Sequence, residues 1–126
     1  MSRRVVFLDR RAVTAPLRSP AFPHQWQEYP HTPPELTLER LQGAQIAVTN
    51  RVAITEAILD AVPTLELVAV AATGYEHVDV AACQARGVRV CNVRDWSVSV
   101  PEHIFALTLA LRRQLPSYMQ AVEQGQ

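Results

Sequence analysis

Lysine is absent from this sequence of 126 residues, and glycine and cysteine are scarce. The four glycines stand far apart, so the sequence contains no glycine-rich turn of the kind that cradles the pyrophosphate of a dinucleotide. Twelve arginines balance twelve acidic residues and do not form a basic cluster. This balance argues against nucleic acid or an anionic membrane surface as the main partner.

Long apolar runs are also missing. The longest, residues 104–111, is well below the roughly 20 residues that a membrane-spanning helix needs. The apolar run before Asp9 near the N-terminus has only four residues, which is too few for the core of a signal peptide. We therefore expect a cytoplasmic protein that has no membrane as its partner.

The two cysteines, Cys83 and Cys91, do not form a CxxC motif, and no histidine stands at metal-ligand spacing from them. Two reduced thiols, one on a helix and one on a strand, are the expectation for such a pattern. A disulfide or a metal site is the alternative. We predict no metal site in this chain.

A hydrophobic fraction of 48% is typical of one folded domain with a core. Segments rich in β-branched residues predict four buried strands, at residues 4–9, 44–49, 65–72 and 88–93, and an edge strand at residues 26–29. Helical patterns separate most of these strands. The sequence therefore predicts an α/β layer sandwich around a parallel sheet.

Local start and stop signals predict the helices between these strands. The first is predicted to end at Gly43 and to have an apolar side that consists of Leu36, Leu38 and Leu41. Thr55 and Asp79 are predicted N-caps of the next two helices. Gly87 is predicted to end the third helix in the left-handed conformation.

The last predicted helix is unlike the others. Ser99 and Glu102 fit a capping box, and the helix from Ser99 should reach about Leu115, where Pro116 interferes. Residues 104–111 are apolar nearly all round the helix, so packing of one face against a sheet does not account for them. Another domain, or another copy of the same helix, is expected to cover the second side.

Ligands of parallel α/β sheets bind outside the carboxyl ends of the strands, which directs attention to the two loops after the predicted strands 65–72 and 88–93. In the first, Thr73 ends a strand and Gly74 can let backbone approach a ligand closely or adopt a positive φ, so that consecutive N–H groups hold a carboxylate. After the preceding strand, 44–49, Arg51 can pair an anionic substrate. A plain strand-to-helix turn and a solvated surface arginine are the alternatives.

Other polar residues have structural explanations of equal simplicity. The Glu–His pairs at residues 76–77 and 102–103 look like acid–base pairs, but Glu102 also serves the predicted capping box. Asp79 is expected to act as a helix cap and not in catalysis. Trp96 either lines a pocket or packs half-buried in the second loop, beside Ser97.

Two long segments carry a family resemblance, namely LELVAVAATGYEHVDVAACQARGVRVCNVR and, after it, SVSVPEHIFALTLALRRQL. Together they resemble the D-isomer-specific 2-hydroxyacid dehydrogenases, with a departure at Pro101, where alanine is usual. The segments FLDR, LRSPAFPHQW, EYP, AQIAVTNRVAIT and VCNVRDWSVSVPEH resemble the glycerate dehydrogenase (hydroxypyruvate reductase) branch of that family. The resemblance covers essentially the whole chain.

The resemblance implies a flavodoxin-like substrate-binding domain at residues 1–98. Residues 99–126 would then be the long crossing helix and the start of a nucleotide-binding domain that binds NAD or NADP. Residue by residue, the implied substrate-binding positions are Arg51, Thr73, Gly74 and Trp96. The implied cofactor-binding positions are Thr73, Ser97 and Val100. The family's substrate-fixing arginine and its histidine–glutamate pair match no residue here, so no catalytic residue is assigned, and His103 matches a different position.

Two functions from different classes remain. In the first, the chain is the incomplete, inactive substrate-binding part of an NAD(P)-dependent dehydrogenase that moves hydride between nicotinamide and a small 2-hydroxy or 2-oxo acid. It would be a homodimer through the helix from Ser99 to Leu115. In the second, it is a non-catalytic dimerising or binding module with that fold. An in-frame glycine-rich fingerprint in the DNA beyond Gln126 would favour the first, and a stop codon the second. A response-regulator-like receiver is a weaker third option, because it needs an acidic cluster and a lysine.

Overall fold

The computed structural model describes residues 1–94 and 99–126, which separate into two compact units, Met1–Val93 and Arg94–Gln126. The first unit contains a parallel sheet and three helices, and the second contains two helices. Trp96 and Ser97 lie outside the described residues. The predicted boundary between residues 98 and 99 adjoins the same segment and stays a prediction.

The sheet of the first unit has five strands, all parallel, in the order β2-β1-β3-β4-β5. The strands are β1 (Arg3–Phe7), β2 (His24–Glu28), β3 (Ile46–Thr49), β4 (Leu67–Val70) and β5 (Arg89–Cys91). This is the strand order of flavodoxin, so the predicted flavodoxin-like sandwich is confirmed. Most of the strands end one or two residues earlier than their predicted segments do.

Three helices connect the strands from β2 onward: α1 (Pro34–Leu41), α2 (Glu56–Ala61) and α3 (Val80–Ala85). By contrast, a 3₁₀ turn at Arg10–Ala12 and an irregular proline-containing segment connect β1 to β2. Because parallel crossovers are right-handed, this first connection, which runs in the opposite direction along the sheet, passes over the other face.

The main core lies on the face that α1, α2 and α3 cover. Val6, Ala47, Val68 and Val90 are register partners across four strands, and the first three are fully buried. Helix residues complete this cluster, among them Leu41, Leu59 and Cys83. The apolar strand segments in the sequence thus correspond to strands whose side chains enter a shared core.

The predicted helix signals are mostly confirmed. The Thr55 hydroxyl accepts a hydrogen bond from the Ile58 N–H at 3.4 Å, and the Asp79 carboxylate accepts one from the Ala82 N–H at 2.9 Å. Gly87 follows α3 with φ +70°, the left-handed conformation predicted for it. These local signals work because each satisfies backbone groups that the helix itself leaves unpaired.

One prediction about α1 is wrong. Leu38, predicted on the apolar side, is 37% exposed, while Thr37 is buried in its place. The Thr37 hydroxyl donates to the Pro33 carbonyl at 3.3 Å, one turn earlier, so its polar atom is satisfied inside the helix. A hydrogen bond to the helix's own backbone therefore lets a threonine occupy a position that the pattern gives to an apolar residue.

The second unit consists of α4 (Ser99–Arg112) and α5 (Leu115–Glu123). The prediction that one helix reaches about Leu115 is wrong, because α4 ends at Arg112 and a second helix follows. Gln114 adopts a left-handed conformation with φ 51°, and Pro116 lies in the first turn of α5, where its missing N–H costs nothing. Among the described helices, none combines the length and apolar character required to cross a membrane.

Apolar side chains of both helices are exposed in this chain. Ile104, Phe105 and Leu111 of α4 are 58%, 68% and 72% exposed, and the described residues of α4 include none that is buried. On α5, Tyr118, Met119 and Val122 are also exposed. Burial within the second unit thus does not explain the unusual apolar character of residues 104–111.

Candidate functional site

Because all five strands are parallel, the loops that follow them meet at one edge of the sheet. This edge carries the loop after β3, which contains Arg51, and the loop after β4, which contains Thr73 and Gly74. The sheet therefore places these three predicted substrate-binding residues along the same edge. Different hydrogen bonds fix the two loops that carry these residues.

Asp9 fixes the turn that carries Arg51. Its carboxylate is buried, with the residue 6% exposed, and lies just beyond β1. The backbone N–H of Asn50 donates to Oδ1 at 2.8 Å, and that of Arg51 donates to Oδ2 at 2.7 Å. Charge-assisted bonds of this kind are about twice as strong as neutral ones, so one buried carboxylate clamps a turn more than 40 residues away.

The guanidinium of Arg51 is left available by this arrangement. Arg51 is exposed, and within residues 1–94 and 99–126 its side chain makes no hydrogen bond or ion pair. It borders two adjoining clefts of about 420 and 440 Å³, whose walls also include Asp9 and His31. An unpaired guanidinium above a rigid turn is suited to bind a carboxylate through two N–H groups.

The wall on the His31 side is also rigid. The Thr32 hydroxyl donates to the Leu8 carbonyl at 2.5 Å, and Arg40 Nη1 donates to Thr32 Oγ1 and to the His31 carbonyl, both at 2.6 Å. The Arg40 guanidinium carbon also lies 4.0 Å from the centre of the Tyr29 ring, a cation–π geometry. These contacts fix the loop after β2 against β1.

The loops after β3 and β4 are joined to each other. Ile54 and Val78 form an isolated parallel bridge, in which the Ile54 N–H donates to the His77 carbonyl at 3.0 Å and the Asp79 N–H donates to the Ile54 carbonyl at 2.9 Å. On the other side, Asn92 Nδ2 donates to the Thr73 carbonyl at 2.8 Å. The loop that contains Thr73 is therefore attached to both of its neighbours.

Thr73 and Gly74 are both exposed. Gly74 does not adopt a positive φ, so that possibility is excluded. Its lack of a side chain does allow the Glu76 carboxylate to lie close to the backbone, because a Cβ atom added at Gly74 would lie 2.7 Å from Oε2 of Glu76. This atom is the end of a flexible side chain, so a larger residue would displace Glu76.

The remaining predicted positions have separate outcomes. Asp79 acts as the cap of α3, as expected, and His77 contributes its carbonyl to the bridge with Ile54. Val100 is 60% exposed on α4, in the second unit. Trp96 and Ser97 belong to the undescribed segment, so their assignments stay predictions.

The two cysteines occupy the element types predicted for them, and both are free thiols. Cys83 is buried on α3, whereas Cys91 is exposed on β5. Burial raises the pKa of the Cys83 thiol, the nearby Asp79 charge raises this pKa further, and the Arg86 guanidinium opposes the shift. Cys83 is therefore an unreactive core thiol.

Sequence reasoning missed the structural part of this site. Asp9 is the last residue of the first predicted strand, but its two bonds to the turn at residues 50–51 connect distant segments. The same holds for Thr32 and Arg40. A short acidic side chain directly after a buried strand was the available signal for Asp9, since a buried carboxylate needs donors nearby.

Comparisons with known proteins agree with this fold. A family model described as D-isomer specific 2-hydroxyacid dehydrogenase, catalytic domain, matches residues 5–122. A glycerate dehydrogenase from Methylorubrum extorquens is 46% identical over an alignment of 127 residues, and this alignment covers 99% of this chain and 40% of the relative. This chain thus spans about 40% of the length of that relative.

Solved structures are similar as well. An NADPH-dependent glyoxylate/hydroxypyruvate reductase from Sinorhizobium meliloti, in complex with citrate, has a TM-score of 0.72 and 25% identity, covering 98% of this chain and 39% of the reductase. A D-lactate dehydrogenase from Aquifex aeolicus, complexed with NAD and lactic acid, has a TM-score of 0.66 and 21% identity, covering 95% of this chain and 37% of the enzyme. The second similarity supports the fold alone.

Proposed function

The chain belongs to the family of D-isomer specific 2-hydroxyacid dehydrogenases, and we propose from this that it supplies the substrate-binding wall of such an enzyme. The reaction is hydride transfer between a nicotinamide and C2 of a small 2-hydroxy or 2-oxo acid. Glycerate and hydroxypyruvate are the proposed substrates, because the similar protein from Methylorubrum extorquens is a glycerate dehydrogenase. Residues outside this sequence would complete the active site.

The observation that carries this proposal is the turn at Arg51. The Asp9 carboxylate accepts hydrogen bonds from the backbone N–H groups of Asn50 and Arg51. The Arg51 guanidinium borders the clefts and stays unpaired within the described residues. A 2-hydroxy or 2-oxo acid brings a carboxylate, which such a guanidinium can bind. The turn holds the arginine in place before substrate arrives, which lowers the entropic cost of binding.

The second part of the proposed wall is the loop with Thr73 and Gly74. Asn92 fixes the carbonyl of Thr73, and the atoms nearest to a Cβ added at Gly74 belong to the end of the Glu76 side chain. Backbone N–H groups of this loop would orient the substrate carboxylate or the adjacent oxygen. Trp96, from the undescribed segment, is proposed to close over the substrate.

NAD or NADP is the proposed cofactor, and it supplies or accepts the hydride when bound. The residues of this chain fit the nicotinamide end of the cofactor and not its pyrophosphate. The sequence has no glycine-rich turn for a pyrophosphate, whereas exposed Thr73 at the carboxyl edge is suited to border the nicotinamide. Ser97 and Val100 are the other proposed contacts. Which of the two nicotinamide cofactors is used depends on residues outside this sequence.

We further propose a homodimer in a cytoplasmic protein, through α4, the helix that the sequence predicts over Ser99–Leu115 and that ends at Arg112. The exposed apolar side chains of α4 support an interface there, because monomeric proteins rarely expose large contiguous apolar patches. The same observation supports the second candidate function, a non-catalytic dimerising module. Two free thiols, Cys83 and Cys91, support a reducing compartment.

The direct experiment is to measure hydroxypyruvate reduction with NADH and with NADPH. The protein in its full encoded length is expected to turn over hydroxypyruvate, and the 126-residue chain alone is expected to be inactive. Absence of turnover by the full-length protein with either cofactor, together with dimers in sedimentation, would favour the module instead. A monomer at all concentrations would contradict the proposed interface.

A further inference from the structure

We propose a second ligand site, in a cleft between residues 17–20 and β2, which binds a small anion that carries a flat unsaturated ring. This site goes beyond the proposed dehydrogenase function. The cleft has a volume of about 320 Å³ and shares no lining residue with the two clefts beside Arg51. Its lining residues include Leu17, Arg18, Ser19, Pro20, His24 and Trp26.

The cleft exists because of the unusual connection between β1 and β2. Where the other crossovers are helices, this one is an irregular segment that lies along β2. His24, Trp26 and Glu28 alternate along that strand, so their side chains project from the same face and enter the cleft. No part of the proposed dehydrogenase site uses this segment.

Trp26 forms an aromatic wall whose position is fixed. Its ring packs edge-on against the buried Phe7 ring at 6.4 Å between centroids and against the His24 ring at 6.3 Å. Its indole N–H donates to Oε2 of Glu28 at 2.9 Å. Trp26 is nevertheless 37% exposed as a residue, which leaves surface for a flat ring to contact.

The charges of the cleft leave one arginine uncompensated. Arg10 Nε lies 3.6 Å from Oε2 of Glu28, and Arg10 Nη2 donates to the Ala15 carbonyl at 3.1 Å, so the Arg10 and Glu28 charges offset each other. Arg18 makes no hydrogen bond, ion pair or ring contact with any residue that the structure describes. A carboxylate or phosphate on the ligand is the natural partner of this guanidinium.

His24 provides a further polar atom. Its Nδ1 lies 2.7 Å from the Phe22 carbonyl, which can only accept, so Nδ1 carries the proton in this bond. In the neutral ring the Nε2 atom is then an acceptor, so it is available to an N–H or O–H group of the ligand and not to its anionic oxygens. Aromatic surface, an unpaired guanidinium and an oriented imidazole together match a ring-bearing anion better than a ring or an anion alone.

Fluorescence titration of the 126-residue chain tests this site. A Trp96→Phe background leaves Trp26 as the only tryptophan. The probes are benzoate and adenosine monophosphate, which share a ring and an anionic group but differ in the source of the charge. The matched controls are benzamide, which has the ring without the charge, and acetate, which has the charge without the ring.

Saturable fluorescence change with benzoate, with adenosine monophosphate or with both is expected, and it identifies which anionic group the site accepts. Arg18→Gln should weaken this binding about tenfold, because it removes a charge-assisted contact. Arg89→Gln, which changes an exposed arginine on β5, should leave it unchanged. The indole N–H resonance of Trp26 gives the same readout in the chain that retains Trp96.

Three results would overturn the proposal. One is the absence of saturable binding of either anionic probe. Another is binding of benzamide or acetate as strong as that of the anionic probe that binds, which would show that the ring or the charge alone suffices. The third is equal affinity in Arg18→Gln and in the unchanged chain. None of them bears on hydroxypyruvate turnover, so this site and the proposed function fail independently.

Discussion

The buried carboxylate of Asp9 holds the backbone of Arg51, with Oδ2 2.7 Å from the Arg51 nitrogen. Its other oxygen binds Asn50 at 2.8 Å, so a single residue after β1 determines the shape of the turn after β3. The side chain of Arg51 is thereby presented at the carboxyl edge of the sheet on a fixed backbone. Asp9 acts through the turn, as a positioning residue.

Asp9→Asn should destabilise the fold. The amide keeps one acceptor but turns an NH₂ group toward the second backbone N–H, which leaves a buried donor unpaired at a cost of about 1–3 kcal/mol. Urea unfolding of the 126-residue chain measures this change. Glu66→Gln is the matched control, because the Glu66 side chain forms a half-exposed ion pair with Arg3, and its loss should change stability by less than about 1 kcal/mol. Equal stability of the two variants would contradict the role of Asp9.

The two helix caps should differ in strength. Asp79→Ala removes a carboxylate 2.9 Å from its N–H donor, whereas Thr55→Ala removes a hydroxyl at 3.4 Å. Loss of an N-cap costs about 0.5–2 kcal/mol, and we expect Asp79→Ala toward the upper end and Thr55→Ala toward the lower. Gln84→Ala, exposed on α3, is the control for the substitution itself. A larger loss for Thr55→Ala than for Asp79→Ala would show that cap geometry does not decide the cost.

The thiols should react at very different rates. Cys83 is buried and its pKa is raised, chiefly by burial, so it should resist a disulfide reagent that rapidly modifies exposed Cys91. Cys91→Ser should therefore leave a chain that reacts only on unfolding. Rapid modification of Cys91→Ser under native conditions would contradict this.

The same shift of the Cys83 pKa predicts a pH dependence of stability. Because the pKa of Cys83 is raised in the folded state, the thiol of the unfolded chain ionises at a lower pH than that of the folded chain. The contribution of Cys83 to the free energy of unfolding is therefore complete below the ordinary thiol pKa and decreases as pH rises above it. Unfolding free energies measured across this alkaline range should fall more steeply for the unchanged chain than for Cys83→Ala. Equal slopes would show that Cys83 has no such effect.

Much of the fold could be predicted from local signals. Apolar strand segments and the caps at Thr55 and Asp79 are encoded within a few residues of sequence, and each corresponds to an element in the structure. Two predictions about the helices are wrong, because proline and threonine can each occupy more than one kind of helix position. Pro116 begins α5 although it was expected only to interrupt a helix, and Thr37 is buried because its hydroxyl bonds within its own helix.

The candidate site was predictable only in part. The positions of Arg51, Thr73 and Gly74 along one edge follow from a parallel sheet, which periodicity predicts. The contacts that make the edge rigid do not follow, because the Asp9 bonds join residues 41 and 42 positions apart. Such partners depend on the packed fold, and local patterns contain no information about them.

Steady-state kinetics of Arg51→Gln in the full-length protein test the central claim most directly, namely that Arg51 binds the substrate carboxylate. Loss of a charge-assisted contact should raise KM for hydroxypyruvate about 10- to 100-fold with little change in kcat, with Arg51→Lys intermediate and Arg89→Gln unchanged. A KM for Arg51→Gln equal to that of the unchanged enzyme would contradict the account.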